Sequence, residues 1–149
     1  MVYIIIFITI AAALGPLLSV LPSKHQRAVV GFRERALKAG VLVQLREPKN
    51  IPARLQRASD ESLVCYSRRL DVAIRGLESE LWVRSKVGWE SRSGDPVSAV
   101  ITAVTEHIEV IFLSDEDIQV FWDERGGEGA YCQVEKLIES GVAGSLKAD

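Results

Sequence analysis

The chain has 149 residues, with 18 Lys and Arg against 20 Asp and Glu and a formal net charge of −2. That length suffices for one globular domain with a real core. The charge is uneven: Lys24 to Arg57 holds nine basic residues and two acidic ones, Ser93 to Asp149 three basic and twelve acidic. An acidic far end argues against general nucleic-acid binding, which wants a basic face, so no nucleic-acid partner is expected.

The first 21 residues, Met1 to Leu21, carry no charged side chain. A helix over Val2 to Leu21 would rise about 30 Å, the thickness of a hydrocarbon core. Gly15 and Pro16 should kink it. A cleaved signal peptide would show a basic stretch before the apolar run and a small-x-small cleavage site after it, and neither is present. Residues 1–22 are therefore predicted to be a transmembrane anchor. The positive charges all follow the span, which places the N-terminus outside and the rest of the chain in the cytoplasm of a bacterial inner-membrane, single-pass protein.

Ser23 and Gln26 form a capping-box pattern, and Gly40 is a helix stop, so residues 23–40 are predicted to be a basic amphipathic helix. Lys24, Arg27, Glu34, Arg35 and Lys38 share one face; Ala28, Val29, Phe32, Ala36 and Ala39 share the other. Lys24, Arg27, Arg35 and Lys38 are the expected contacts with an anionic lipid surface. The competing expectation is that this helix packs on its own domain with a solvated charged face.

Residues 41–141 are predicted to be a cytoplasmic α+β domain with a mostly antiparallel sheet and flanking helices. Short strands are expected at Val41 to Arg46 and Leu63 to Leu70, with one helical turn at Ala53 to Ala58 between them. Leu81 to Trp89 is the clearest alternating strand, with Leu81, Val83, Val87 and Trp89 on one side and Trp82, Arg84, Lys86 and Glu90 on the other. Asp95 and Pro96 open a predicted helix whose apolar face is Val97, Val100, Ile101, Val104 and Ile108. Glu109 to Leu113 and Ile118 to Trp122 form a hairpin. A last amphipathic helix, Ala130 to Ser140, turns Ala130, Tyr131, Val134, Leu137 and Ile138 inward and stops at Gly141. Residues 142–149 read as a loose tail.

Candidate chemistry is sparse. Asp115, Glu116 and Asp117 cluster in a turn, but the D-x-D-x-D-G spacing of a calcium loop is missing. Gly126-Gly127-Glu128-Gly129 precedes a helix but lacks the phosphate-binding order and is flanked by carboxylates. His25 and His107 are isolated. Cys65 and Cys132 form no CxxC and no metal spacing, and both are expected to be reduced and buried, with Cys65 or Cys132 beside His107 the remaining nucleophile-pair candidate. No catalytic residue, no metal ligand and no cofactor are expected. Trp82, with Arg84 and Lys86, is the expected partner contact, since an aromatic beside basic residues suits an interface.

Residues 4 to about 45 resemble the front end of the YajC family, small single-pass subunits associated with the bacterial Sec translocon. The shared order is an apolar span, Pro22, the basic stretch SKHQRAVVGFRERALKAG, Gly40 and an extended Val41-Leu42-Val43. The resemblance implies a membrane-protein partner of Sec type and brings no catalytic residues. The expected function is that of a membrane-anchored accessory or scaffold protein binding another protein, and not an enzyme. The alternative is a small membrane-tethered enzyme or ligand sensor with an unrecognised pocket.

Overall fold

Ser23 begins the folded body by capping a helix in both directions. Its hydroxyl accepts the Gln26 N–H at 3.2 Å, and the Gln26 side chain accepts the Ser23 N–H at 2.9 Å. The helix ends at Gly40 in a Schellman turn. Gly40 takes φ +75°, Gly40 N–H donates to the Leu37 carbonyl, and Val41 N–H donates to the Ala36 carbonyl. The computed structural model describes residues 2–19, 22–55, 57, 61–70 and 79–146. In chain order its elements are α1 (Val2–Ser19), α2 (Lys24–Lys38), β1 (Leu42–Gln44), β2 (Val64–Arg69), β3 (Glu80–Arg84), β4 (Trp89–Ser91), α3 (Ala99–Thr102), β5 (Ile108–Leu113), β6 (Asp117–Trp122) and α4 (Gly127–Val142).

The fold is α+β, with six antiparallel strands in the order β1-β2-β6-β5-β3-β4. Alternation divides the strand residues between two faces. On one face, Val64 and Tyr66 of β2, Ile118, Val120 and Trp122 of β6, Ile111 and Leu113 of β5 and Trp82 of β3 pack beneath α2 and α4. The other face carries Cys65, Leu81, Val83, Val110 and Phe121, covered by the connection between β1 and β2 through Leu55 and Leu63. We call this connection, residues 45–55, the strap. Its prolines, Pro48 and Pro52, withhold backbone donors, which suits a segment that crosses a sheet without joining it.

Helix α4 buries Ala130, Tyr131, Val134, Leu137, Ile138 and Gly141. The helix runs through Gly141 to Val142, so this glycine is a packing residue and not a stop. A Cβ at Gly141 would overlap the Ile118 side chain. The tail beyond is held down as far as Leu146, which is fully buried; residues 147–149 lie outside the described residues.

Among the described residues no helix is long and apolar enough to cross a membrane. The 18 residues of α1 rise about 27 Å, less than the roughly 30 Å of a hydrocarbon core. The transmembrane anchor over residues 1–22 is therefore not supported. The single-pass placement in the bacterial inner membrane, with its outside N-terminus, falls with it. Leu81 to Trp89 is not one strand. Ser85 and Gly88 exchange backbone hydrogen bonds, the chain reverses at Lys86 and Val87, and β3 pairs with β4. The helix expected from Pro96 to Ile108 shrinks to the four residues of α3, with Ser98 at the N-cap position but making no side-chain capping bond. Val97, Val100, Ile101 and Val104 are β-branched and lose rotamer freedom in a helix. The expected turn at Ala53 to Ala58 falls partly outside the described residues.

Candidate functional site

The basic half of the chain meets the acidic half inside the molecule. Arg33 of α2 forms a two-pronged pair with Glu124, just after β6: Nε donates to Oε1 at 2.9 Å and a terminal nitrogen donates to Oε2 at 2.5 Å. The buried Tyr66 hydroxyl donates to the same carboxylate at 2.8 Å. Glu124 adopts φ +58°, a left-handed conformation that costs a non-glycine residue some strain. That turn points its carboxylate under α2. Burial, and then the Glu124 carboxylate beside it, pushes the Tyr66 phenol up, while the hydrogen bonds to Glu124 raise the Arg33 guanidinium.

Two residues further along α2, Arg35 donates to both Glu128 oxygens at 2.6 and 2.7 Å. Its guanidinium lies 4.5 Å from the Tyr131 ring centroid, a cation–π distance. Lys38 pairs with Glu34 at 2.8 Å along the same helix. Two of the four residues expected on a lipid surface, Arg35 and Lys38, are thus occupied within the protein. Lys24 and Arg27 are exposed at the start of α2. Arg35 also completes an aromatic cluster: Phe32 stacks on Tyr131 with centroids 5.0 Å apart and ring planes 9° from parallel. The expectation that α2 packs on its own domain describes this arrangement.

The Arg35–Glu128 contact has a pH signature. Hydrogen bonding from Arg35 holds the Glu128 carboxyl below its ordinary value of 4.5. A carboxyl with a depressed folded value stabilises the fold fully above that ordinary value and progressively less as pH falls through the depressed one. Urea midpoints of the native chain and Glu128→Gln should therefore differ at neutral pH and converge in acid. A gap that persists unchanged at low pH would show that the carboxylate charge plays no part.

The expected partner contact dissolves on inspection of its side chains. Trp82 is 5% exposed and lies in the core beneath the helices. Arg84 donates to the carbonyls of Val104, Thr105 and Ile108, at 2.7, 2.9 and 3.1 Å, and covers the Trp89 ring at 4.9 Å. It is a clamp on the loop between α3 and β5. Lys86 is exposed at the tip of the β3–β4 turn.

The remaining candidates resolve into local structure. Ser114, at the start of the acidic turn, donates to an Asp117 carboxylate oxygen at 2.7 Å and accepts the Glu116 and Asp117 N–H groups. Among the described residues no three His, Cys, Asp or Glu side chains gather as a metal site. His107 Nδ1 lies 2.9 Å from Asp123. Its ring packs so closely on Gly126 that a Cβ there would overlap both it and Ala130. The glycines before α4 thus serve close packing. Cys65 is buried, which pushes its thiol up, whereas Cys132, also expected to be buried, is exposed on α4; both are free.

Among the described residues, the apolar side chains of α1 from Val2 to Leu14 are left exposed. Every residue from Val2 to Gly15 is exposed, among them Tyr3, Ile5 and Phe7. The helix is apolar on all sides, so no rotation offers water a polar face. The chain matches no protein-family model, no curated protein and no solved structure.

Proposed function

We propose that the protein is a non-catalytic binding module that assembles with another protein through α1. The observation that carries this reading is the exposed apolar surface of α1, none of whose residues belongs to the described core. A helix apolar on every side belongs in an apolar interior. Large contiguous apolar surface in water marks an interaction site. The polar clusters of the described domain support the same reading: the Arg33, Arg35, Arg84 and Ser114 bonds hold elements together. The domain then acts as the body carried by a docking helix.

Photo-cross-linking in cells tests it. A photoreactive residue at Phe7 or Ile10 should give a discrete protein adduct, while the same residue at Val87, exposed in the β3–β4 turn, should not. Adducts to lipid alone, or the same diffuse adducts at all three positions, would overturn the reading.

A further inference from the structure

On the face of the sheet opposite α4, between the strap and the strands, lies a cavity of about 190 Å³. Its floor is apolar: Leu81, Val110 and Phe121 are buried side chains of three adjacent strands, and Phe112 is half-buried beside them. Its rim is cationic. Arg46 and Lys49 come from the strap and Arg92 from the residue after β4, against one carboxylate, Glu47. Lys49 and Arg92 are exposed at the mouth. Arg46 is half-buried with its guanidinium beside the Cys65 thiol, and its Nε has no hydrogen-bond partner. A thiol is a weak acceptor, so the free Nε can still take a carboxylate oxygen.

We propose that this cavity binds a small monocarboxylate with an apolar body, its ring or branched chain on the Val110, Phe112 and Phe121 floor and its carboxylate on Arg46. Size supports the class. A cavity of about 150 Å³ accepts a benzene ring, so this one has room for one ring and a short acid arm. Charge supports it as well: three cations against one anion favour a negative head group, and the apolar floor has nothing to offer a bare inorganic ion. The strap is built to hold such a rim in place. Asn50 takes φ +62°, Leu55 plugs the strap into the buried cluster, and Arg54 donates to the Arg92 carbonyl, tying the two sides of the mouth together. Two residues beyond the strap, Arg57 donates from Nε to the Glu109 carboxylate at 2.9 Å. Glu109 sits at the irregularity in β5 between Ile108 and Val110. The extra residue puts a carboxylate within reach of Arg57 without removing Val110 from the cavity floor.

This site is separate from α1, and its test is independent of α1 having a partner. Phenylacetate and its neutral isostere phenylacetamide should be titrated into the ¹⁵N-labelled full-length chain. Phenylacetate should give saturable amide shifts at Lys49, Asn50, Val110, Phe112 and Phe121, and phenylacetamide should bind at least about tenfold more weakly. Arg46→Gln should weaken phenylacetate by a similar factor and leave phenylacetamide unchanged. Arg92→Gln, at an exposed side chain, should weaken the acid less, and added salt should do so in the native chain. Equal binding of acid and amide would overturn the cationic rim. Absence of saturable shifts, or shifts scattered away from the strap, would overturn the site.

Discussion

Trp122→Ala should lower the unfolding free energy by about 3–5 kcal/mol. Trp122 is fully buried and sits between Val64 and Ile108 in the register of the sheet. Its ring centroid lies 5.6 Å from that of Tyr66, 6.0 Å from Phe32 and 6.4 Å from Tyr131. It therefore touches β2, α2 and α4 at once, and a cavity there cannot collapse without moving two helices. Its indole nitrogen is buried without a hydrogen-bond partner, so truncation loses packing and no hydrogen bond. Trp122→Phe keeps a ring in place and should cost much less, within about 1.5 kcal/mol. Urea unfolding of both variants measures the contrast. Comparable losses in the two would show that the ring's volume is not what joins the helices to the sheet. For a domain with about 5–15 kcal/mol in hand, the alanine variant approaches loss of the fold.

Glu124→Ala should be the next most damaging change, at about 2–3 kcal/mol, below the range for breaking a fully buried pair because the Arg33 side chain is 36% exposed and water can reach it. The variant leaves the Tyr66 hydroxyl buried without an acceptor and Arg33 without its carboxylate. The left-handed backbone at this position supplies an internal control. Glycine adopts φ +58° without strain, so Glu124→Gly should be less destabilised than Glu124→Ala by about 0.5–1 kcal/mol. A double-mutant cycle with Arg33→Met should show a coupling of at least about 0.5 kcal/mol. Additive effects would mean that the two side chains meet without supporting each other.

Local rules carried much of the element pattern. Ser23 with Gln26 and Gly40 bound α2, and the 3.6-residue period picks out the buried residues of α4, because caps and periodicity act within a few positions of the chain. What was not legible depends on distant residues. Alternation from Leu81 to Trp89 continues through a reversal at Lys86 and Val87, which lack the Asn-Gly or Asp-Gly signal of a tight hairpin. Trp82 appeared to share a polar face with Arg84. That face is the core, because Arg84 spends its donors on the carbonyls of Val104, Thr105 and Ile108. The basic stretch of α2 read as a lipid-facing patch because its acidic partners, Glu124 and Glu128, lie some 90 positions away. The cavity under the strap was likewise hidden: Arg46, Arg92 and Phe112 meet only once the strands are in order.

The bonds from Arg33 to Glu124 and from Arg35 to Glu128 join residues 91 and 93 positions apart. During synthesis the chain emerges from its N-terminus, so α2 is made long before its acceptors exist. At roughly 5–20 residues per second the delay is on the order of 5–18 s. Through that interval Phe32 and Ala36 have no Tyr131 or Trp122 to cover them. A nascent-chain chaperone would find its binding segment here, and release would coincide with the arrival of the turn after β6. Helix α4, made long after α2, thus closes over it, and premature termination before Glu124 yields a product that cannot be latched.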